Sequence, residues 1–223
     1  MASERAPRAG ETRAAILAAA ERLFAERGLS AVSNRLVSEA AGQGNNAAVG
    51  YHFGTKTDLV RAVLREHAVP MEDIRARLLR ACAGRDRLRD WVVCLVRPIT
   101  DHLSDLGTPS WYARFAAQVM TDPVLRGIMV DDALATPTVG AVRAGLDRCL
   151  PHLSPEVRAE RHEMVRLLVV HTCAERERAL ADAGLRDPAW DAVTAGLVDA
   201  VVGLLRARAT RPAPTRTRTR VPS

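Results

Sequence analysis

The sequence predicts an all-α chain, and three observations carry that prediction. Apolar residues make up 48% of the 223 positions while aromatics make up only 4%, so Ala, Leu and Val must form the core. That composition favours helix over strand. Apolar residues recur at helical spacing in segment after segment. Gly and Pro then punctuate the pattern at intervals, and no strand-like alternation or internal repeat competes with it. The expected architecture is an N-terminal three-helix head with a helix-turn-helix and a larger C-terminal helical bundle, about nine helices in all.

In chain order, Met1–Gly10 is polar and reads as a flexible arm. Thr12 is placed to cap a first helix whose Ile16, Leu17, Ala20, Leu23 and Phe24 face inward, and Gly28 ends it. Ser33 caps a second helix carrying Leu36, Val37, Ala40 and Ala41, and Gly42 and Gly44 release the chain into a tight turn. Asn45 or Asn46 caps a third helix of about two turns, closed by Tyr51, His52 and Phe53. Thr55 starts a long fourth helix in which Pro70 predicts a kink or a division, because Pro lacks the amide donor.

Gly84 marks the step into the body. A fifth helix spans about Asp86 to Leu106, and a sixth holds Trp111, Phe115 and Val119. Asp122-Pro123 breaks the sixth, and a seventh runs to about Leu150, interrupted near Thr136-Pro137. Ser154-Pro155-Glu156 starts an eighth, and Asp187-Pro188 starts a ninth that ends near Ala209. The last stretch, RPAPTRTRTRVPS, lacks apolar periodicity and reads as a disordered basic tail. These boundaries divide the chain into an arm (1–10), a head (11–56), a connecting helix (57–83), a body (84–209) and a tail (210–223).

Charge alone does not identify the partner. The net charge is +6, but residues 1–60 hold seven basic and six acidic side chains, while the tail carries arginines and no acid. The sole lysine of the chain, Lys56, does fall in the head. The segment Val32–Thr57 is the stronger sign, because helix, glycine turn and short helix form the unit that sets its second helix in the major groove of DNA. The four cysteines make no CxxC and the six histidines no metal spacing, so buried thiols in a reducing cytosol are expected, with no metal and no cofactor. No Ser/His/Asp set, paired glutamates or phosphate loop points to an enzyme, and a helical enzyme is the weakest of the readings weighed. A signal peptide is not expected, since Met1–Gly10 is polar and has no apolar core, nor is a membrane span, since no window reaches roughly 18 uninterrupted apolar residues.

Three stretches, TRAAILAAAERLFAERG (12–28), SxRxVxxAAG (33–42) and YHFGTK (51–56) followed by Leu59, occur in an order and spacing that resembles the TetR family of bacterial transcriptional regulators. The turn GQGNN is one residue longer than the common family pattern, and Gly50 stands where the family usually has an aromatic. The resemblance implies an Ω-shaped homodimer that binds a near-palindromic operator, and a body that takes a small-molecule effector.

Candidate DNA contacts follow residue by residue. Asn45 and Asn46 are each able to cap or to reach an adenine edge, and Ala47 is small enough for close approach and can touch a thymine methyl. Tyr51 offers a hydroxyl to a phosphate, and His52 either contacts DNA or locks the turn. Lys56, Thr12, Arg13, Ser33 and Arg35 lie at expected helix starts and are candidate phosphate clamps. The candidate effector pocket is lined by Trp91, His102, Trp111, Tyr112, Phe115, Met129 and Met164, a set of aromatics and adaptable Met suited to an apolar or aromatic ligand. The candidate dimer face combines Met164, Leu168 and His171 with the small residues Ala192, Gly196, Ala200 and Gly203, and is weighed against core packing within one chain. Such a dimer would set two recognition helices ~34–36 Å apart. The leading function is a repressor released by its ligand; an effector-independent DNA-binding regulator is the alternative.

Overall fold

The computed structural model of the protein describes residues 5–45, 47–82, 84, 87–183 and 189–209, and among them every regular element is helical. The described residues form ten helices: α1 Arg5–Arg27, α2 Asn34–Ala40, α3 Ala48–Phe53, α4 Lys56–Ala81, α5 Leu88–Leu106, α6 Tyr112–Thr121, α7 Pro123–Leu134, α8 Pro137–Cys149, α9 Pro155–Ala183 and α10 Trp190–Arg206. The seventh predicted helix is thus two, separated at Ala135-Thr136, with Pro137 opening the second. Pro123 opens α7 in the same way, and Asp122 caps it through its side chain to the amides of Val124 and Leu125. A proline whose missing N–H would have been an orphan is tolerated at a helix start.

Two other expectations are corrected. The first helix begins at Arg5, so residues 5–10 belong to α1, and Thr12 sits inside the helix rather than at its cap. Nor does Pro70 divide α4, which runs unbroken for 26 residues, about 39 Å of rise. The Asp187-Pro188 start signal and the tail from 210 lie outside the described residues; α10 is entered through Ala189.

The head forms where local chemistry dictates. Ser33 accepts the Leu36 amide and caps α2, and Thr55 and Asp58 form a reciprocal capping box at the start of α4. The inner face of α2 is Val37 and Ser38, whereas Ala40 is exposed. The apolar core continues from the head into the body: Phe24 of α1 stacks on Phe115 of α6 with ring centroids 6.0 Å apart.

In the body, α5 packs on α4, α8 and α10, and α6 packs on α9. Long-range polar groups complete helix ends. Glu177 of α9, buried, accepts from the amides of Ala113 and Arg114, from the Ser110 hydroxyl and from Arg114 Nε, and so caps α6, which has no side-chain cap of its own. Arg161, also buried on α9, donates to the carbonyls of Leu205 and Ala207 at the end of α10. All four cysteines are free thiols. No helix among the described residues is long and apolar enough to cross a membrane, and no group of three metal-binding side chains occurs among them.

Candidate nucleic-acid interface and body cavity

The short helix α3 is anchored on one side and open on the other. Ala48 and Val49 are buried against the head, while Ala47, Gly50 and Tyr51 are exposed at i, i+3 and i+4 and form one outward stripe. Tyr51 is 86% exposed, an unusual position for a large aromatic. Ahead of the stripe, the Asn45 side chain accepts the Ala47 amide at 2.9 Å, so Asn45 shapes the turn into the helix; Asn46 lies outside the described residues. Gly42 is in the left-handed region at φ 69°, the conformation that the turn between α2 and α3 needs.

Around this stripe the predicted clamps divide. Ser33 and Arg35 are exposed at the start of α2, with Arg35 in a solvent-facing pair with Glu39 at 3.2 Å. Arg13 turns toward α3: its guanidinium lies 4.3 Å from the Phe53 ring centroid and donates to the His52 carbonyl. His52 is half-buried, with its ring edge-on to Tyr51. Thr12 is half-buried two turns inside α1, away from any free helix end.

Lys56 corrects the expectation most sharply. Its ammonium points inward and donates to the carbonyls of Leu29 and Val32, beside the Phe24 ring. Burial pushes its pKa below the usual lysine value, with Asp122 partly opposing. The amine closes the α1–α2 turn onto α4 and is committed there rather than to a phosphate. Lys56→Met keeps the stem and removes both bonds, and thermal unfolding is expected to show a loss of about 1–3 kcal/mol.

In the body, residues of α4 through α9 line an apolar cavity of about 750 Å³. Of the candidate pocket residues, Tyr112 and Met129 line it. Five predicted lining residues do not, and each has another place. Phe115 is stacked on Phe24; Trp91 fills the space over Gly145; Trp111 sits at the N-cap of α6; Met164 is 44% exposed on the outer face of α9; His102 is buried against His67. The walls are instead largely aliphatic, with Met71, Leu95, Ile99, Leu103, Val142 and Leu146. Flexible and small side chains leave room where large rings would have filled it.

A polar cluster lies beside the cavity. His67 of α4 contacts His102 Nε2 of α5 through Nδ1 at 2.8 Å and Glu21 of α1 through Nε2 at 2.9 Å, and its ring stacks on Tyr112 at 3.9 Å. The cavity wall is thereby joined to the head helix through buried, directional contacts. The four residues come from four helices, so no local spacing announces them.

His102 should make the protein acid-sensitive. Burial first, then His67, push its pKa from the usual 6.5 down to about 4. The unfolded chain therefore takes up a proton below about pH 6.5 that the folded chain refuses, so stability is fully present above that value and is lost as pH falls toward 4. Urea unfolding should show up to about 3 kcal/mol of such loss across that window, and His102→Gln should flatten it.

Known proteins match both halves of the chain. The family model described as bacterial regulatory proteins, tetR family, matches residues 16–63, and the one described as tetracyclin repressor-like, C-terminal domain, matches residues 93–203. The HTH-type transcriptional repressor AcnR of Corynebacterium glutamicum is 28% identical over 200 residues, covering 88% of this chain and 94% of the relative. Among solved structures, a TetR-family regulator from Streptomyces coelicolor aligns at TM-score 0.40 and 24% identity, over 88% of this chain and 95% of that one. A gamma-butyrolactone receptor described as ArpA-like aligns at TM-score 0.39 and 19% identity, over 87% and 98%. With one family match on the helix-turn-helix head and the other on the body behind it, the chain belongs to the TetR family of bacterial transcriptional regulators, proteins that bind DNA operators and act as dimers.

Proposed function

We propose that this regulator is a homodimeric repressor released from a near-palindromic operator by a small, largely apolar effector. The observation that carries the reading is the 750 Å³ cavity whose wall residue Tyr112 stacks on His67, which in turn holds Glu21 of the head helix. An occupant that moves Tyr112 changes the contacts that fix the head against the body, which is how differential binding to two conformations would be coupled to DNA spacing. The repressor part of the reading also draws on the relative AcnR, whose name describes it as a repressor.

The DNA surface in this reading is the stripe Ala47, Gly50 and Tyr51 together with Asn45 and Asn46 in the major groove. Ser33, Arg35 and the Tyr51 hydroxyl take phosphates. The absence of a side chain at Gly50 allows the backbone of α3 to come close to the groove. The dimer face is the outer side of α9 and α10: Met164, His171, Ala192, Gly196, Ala200 and Gly203 are exposed in the single chain, and Leu168 is half-buried beside them. These faces would pair two helices from each protomer in a four-helix bundle.

The test is footprinting on the DNA flanking the regulator's own gene, followed by titration at several salt concentrations. Arg35→Ala is expected to weaken binding evenly across operator sequences and to lower the salt slope by about one. A purified dimer that prefers its flanking DNA no more than random duplex would remove the operator part of the proposal. An operator complex untouched by every compound in a broad apolar panel would remove the effector part.

A further inference from the structure

The cavity is apolar in its walls but one-sided in its polar groups. Four arginines, Arg65, Arg75, Arg143 and Arg166, line it against two carboxylates, Asp132 and Glu163. Both carboxylates already have arginine partners, Asp132 with Arg61 at 3.3 Å and Glu163 with Arg166 at 3.2 Å. His162, also in the lining, has its pKa pushed below the usual histidine value chiefly by burial, with Asp147 opposing; it therefore adds little charge at neutral pH. The lining thus carries two more arginines than carboxylates.

Arg75 differs from the other three. They are exposed or half-buried, whereas Arg75 is 8% exposed, in the second half of α4. Its Nη1 donates to Glu72 at 2.9 Å and to the Thr138 hydroxyl at 3.5 Å. Its Nε is buried and has no acceptor. A buried guanidinium N–H without a partner is costly to leave unmade, and the group it lacks is an oxygen acceptor. Two parallel N–H groups along a guanidinium edge match a carboxylate in fork geometry, which a neutral carbonyl or an ammonium cannot reproduce.

We propose that the cavity takes a carboxylic acid bearing an apolar chain or ring, with its carboxylate held by the Arg75 guanidinium and its body against the aliphatic walls; this rests on the cavity being the effector site. The excess of arginines favours an anion over a neutral or cationic ligand. The apolar body would lie against Leu103, Val142, Leu146 and Met129. Bound this way, the apolar body lies beside Tyr112, the residue that stacks on His67.

The test uses the full-length dimer and three matched probes below their aggregation concentrations: dodecanoate, methyl dodecanoate and dodecylamine. Isothermal titration should show the acid binding about tenfold or more tightly than the ester, and the amine not binding. Arg75→Met should cost the acid on the order of 10–100-fold and the ester about threefold or less, with Arg75→Lys between them because an ammonium lacks the fork. Equal affinity of acid and ester for the unmodified protein would overturn the proposal, and this comparison needs no variant to fold. So would acid affinity within about threefold of the original in Arg75→Met. If the ester binds and releases operator DNA while the acid does not, the effector reading stands and the acid proposal falls. If no probe binds, the acid proposal falls, and the effector reading falls with it only when the broad apolar panel also fails to release the operator.

Discussion

Gly196→Arg is expected to convert the dimer to a monomer that folds normally. The argument rests on what surrounds the glycine. A Cβ built at Gly196 or Gly203 meets nothing within 4 Å in its own chain, so the substitution has room in the monomer. Replacing Gly by Arg inside a helix should even favour the helix by several tenths of a kcal/mol. The opposite face of α10, with Leu197, Val198 and Val201, packs into the body and is untouched. In a bundle built by close approach of two α10 helices, however, the guanidinium would stand where the partner's backbone must come. Sedimentation velocity should show dimer dissociation at micromolar protein. Affinity for an operator with both half-sites should fall about 10²–10⁴-fold, the gain that linking two binding events gives, while affinity for a single half-site should barely change. A variant that remains dimeric with the original sedimentation coefficient would place the interface elsewhere on the molecule.

The features legible in the sequence were those set by neighbours in the chain. The Ser33 cap, the Thr55 helix start and the Asp122-Pro123 break are all readable in the sequence, and in the structure Ser33, Thr55 and Asp122 each take their amide partners within three residues. Thr12 misled because a good cap residue also fits a helix interior when the residues before it, here Arg5–Glu11, continue the helix. The site was harder for a different reason. Lys56 finds its carbonyls 24 and 27 residues away, and His67 finds Glu21 and His102 at 46 and 35. No periodicity encodes such pairs. Large aromatics are the natural candidates for a cavity lining, yet Trp91 and Phe115 are large enough to be consumed as packing between helices. The space that remained open is walled by Leu, Val, Ile and Met, whose inward positions are indistinguishable from core in a sequence.

Glu177→Gln should be among the most destabilising single substitutions in the body. The carboxylate is 2% exposed, and four donors converge on it: the Ser110 hydroxyl at 2.9 Å, the amides of Ala113 at 3.2 Å and Arg114 at 2.9 Å, and Arg114 Nε at 3.1 Å. Gln offers a single carbonyl in the same volume, and its amide nitrogen would face donors instead of accepting from them. The Arg114 guanidinium, 12% exposed, would lose its counter-charge in a site that water reaches poorly. Breaking one member of a buried pair costs about 3–5 kcal/mol, because the remaining charge is left uncompensated. Over a chain of this length that is roughly a 6–20 °C fall in midpoint. Adding Arg114→Met should recover part of the loss, since the stranded charge goes with it and only the α6 cap stays weakened; a double-mutant cycle reads that coupling directly. The substitution should also blunt any effector response before it unfolds the protein, because α6 carries Tyr112 and begins at the residues Glu177 holds. A loss below about 1 kcal/mol at neutral pH, the size of an exposed pair, would mean that water or a neighbouring group takes over the four donors and that Glu177 does not set the position of α6.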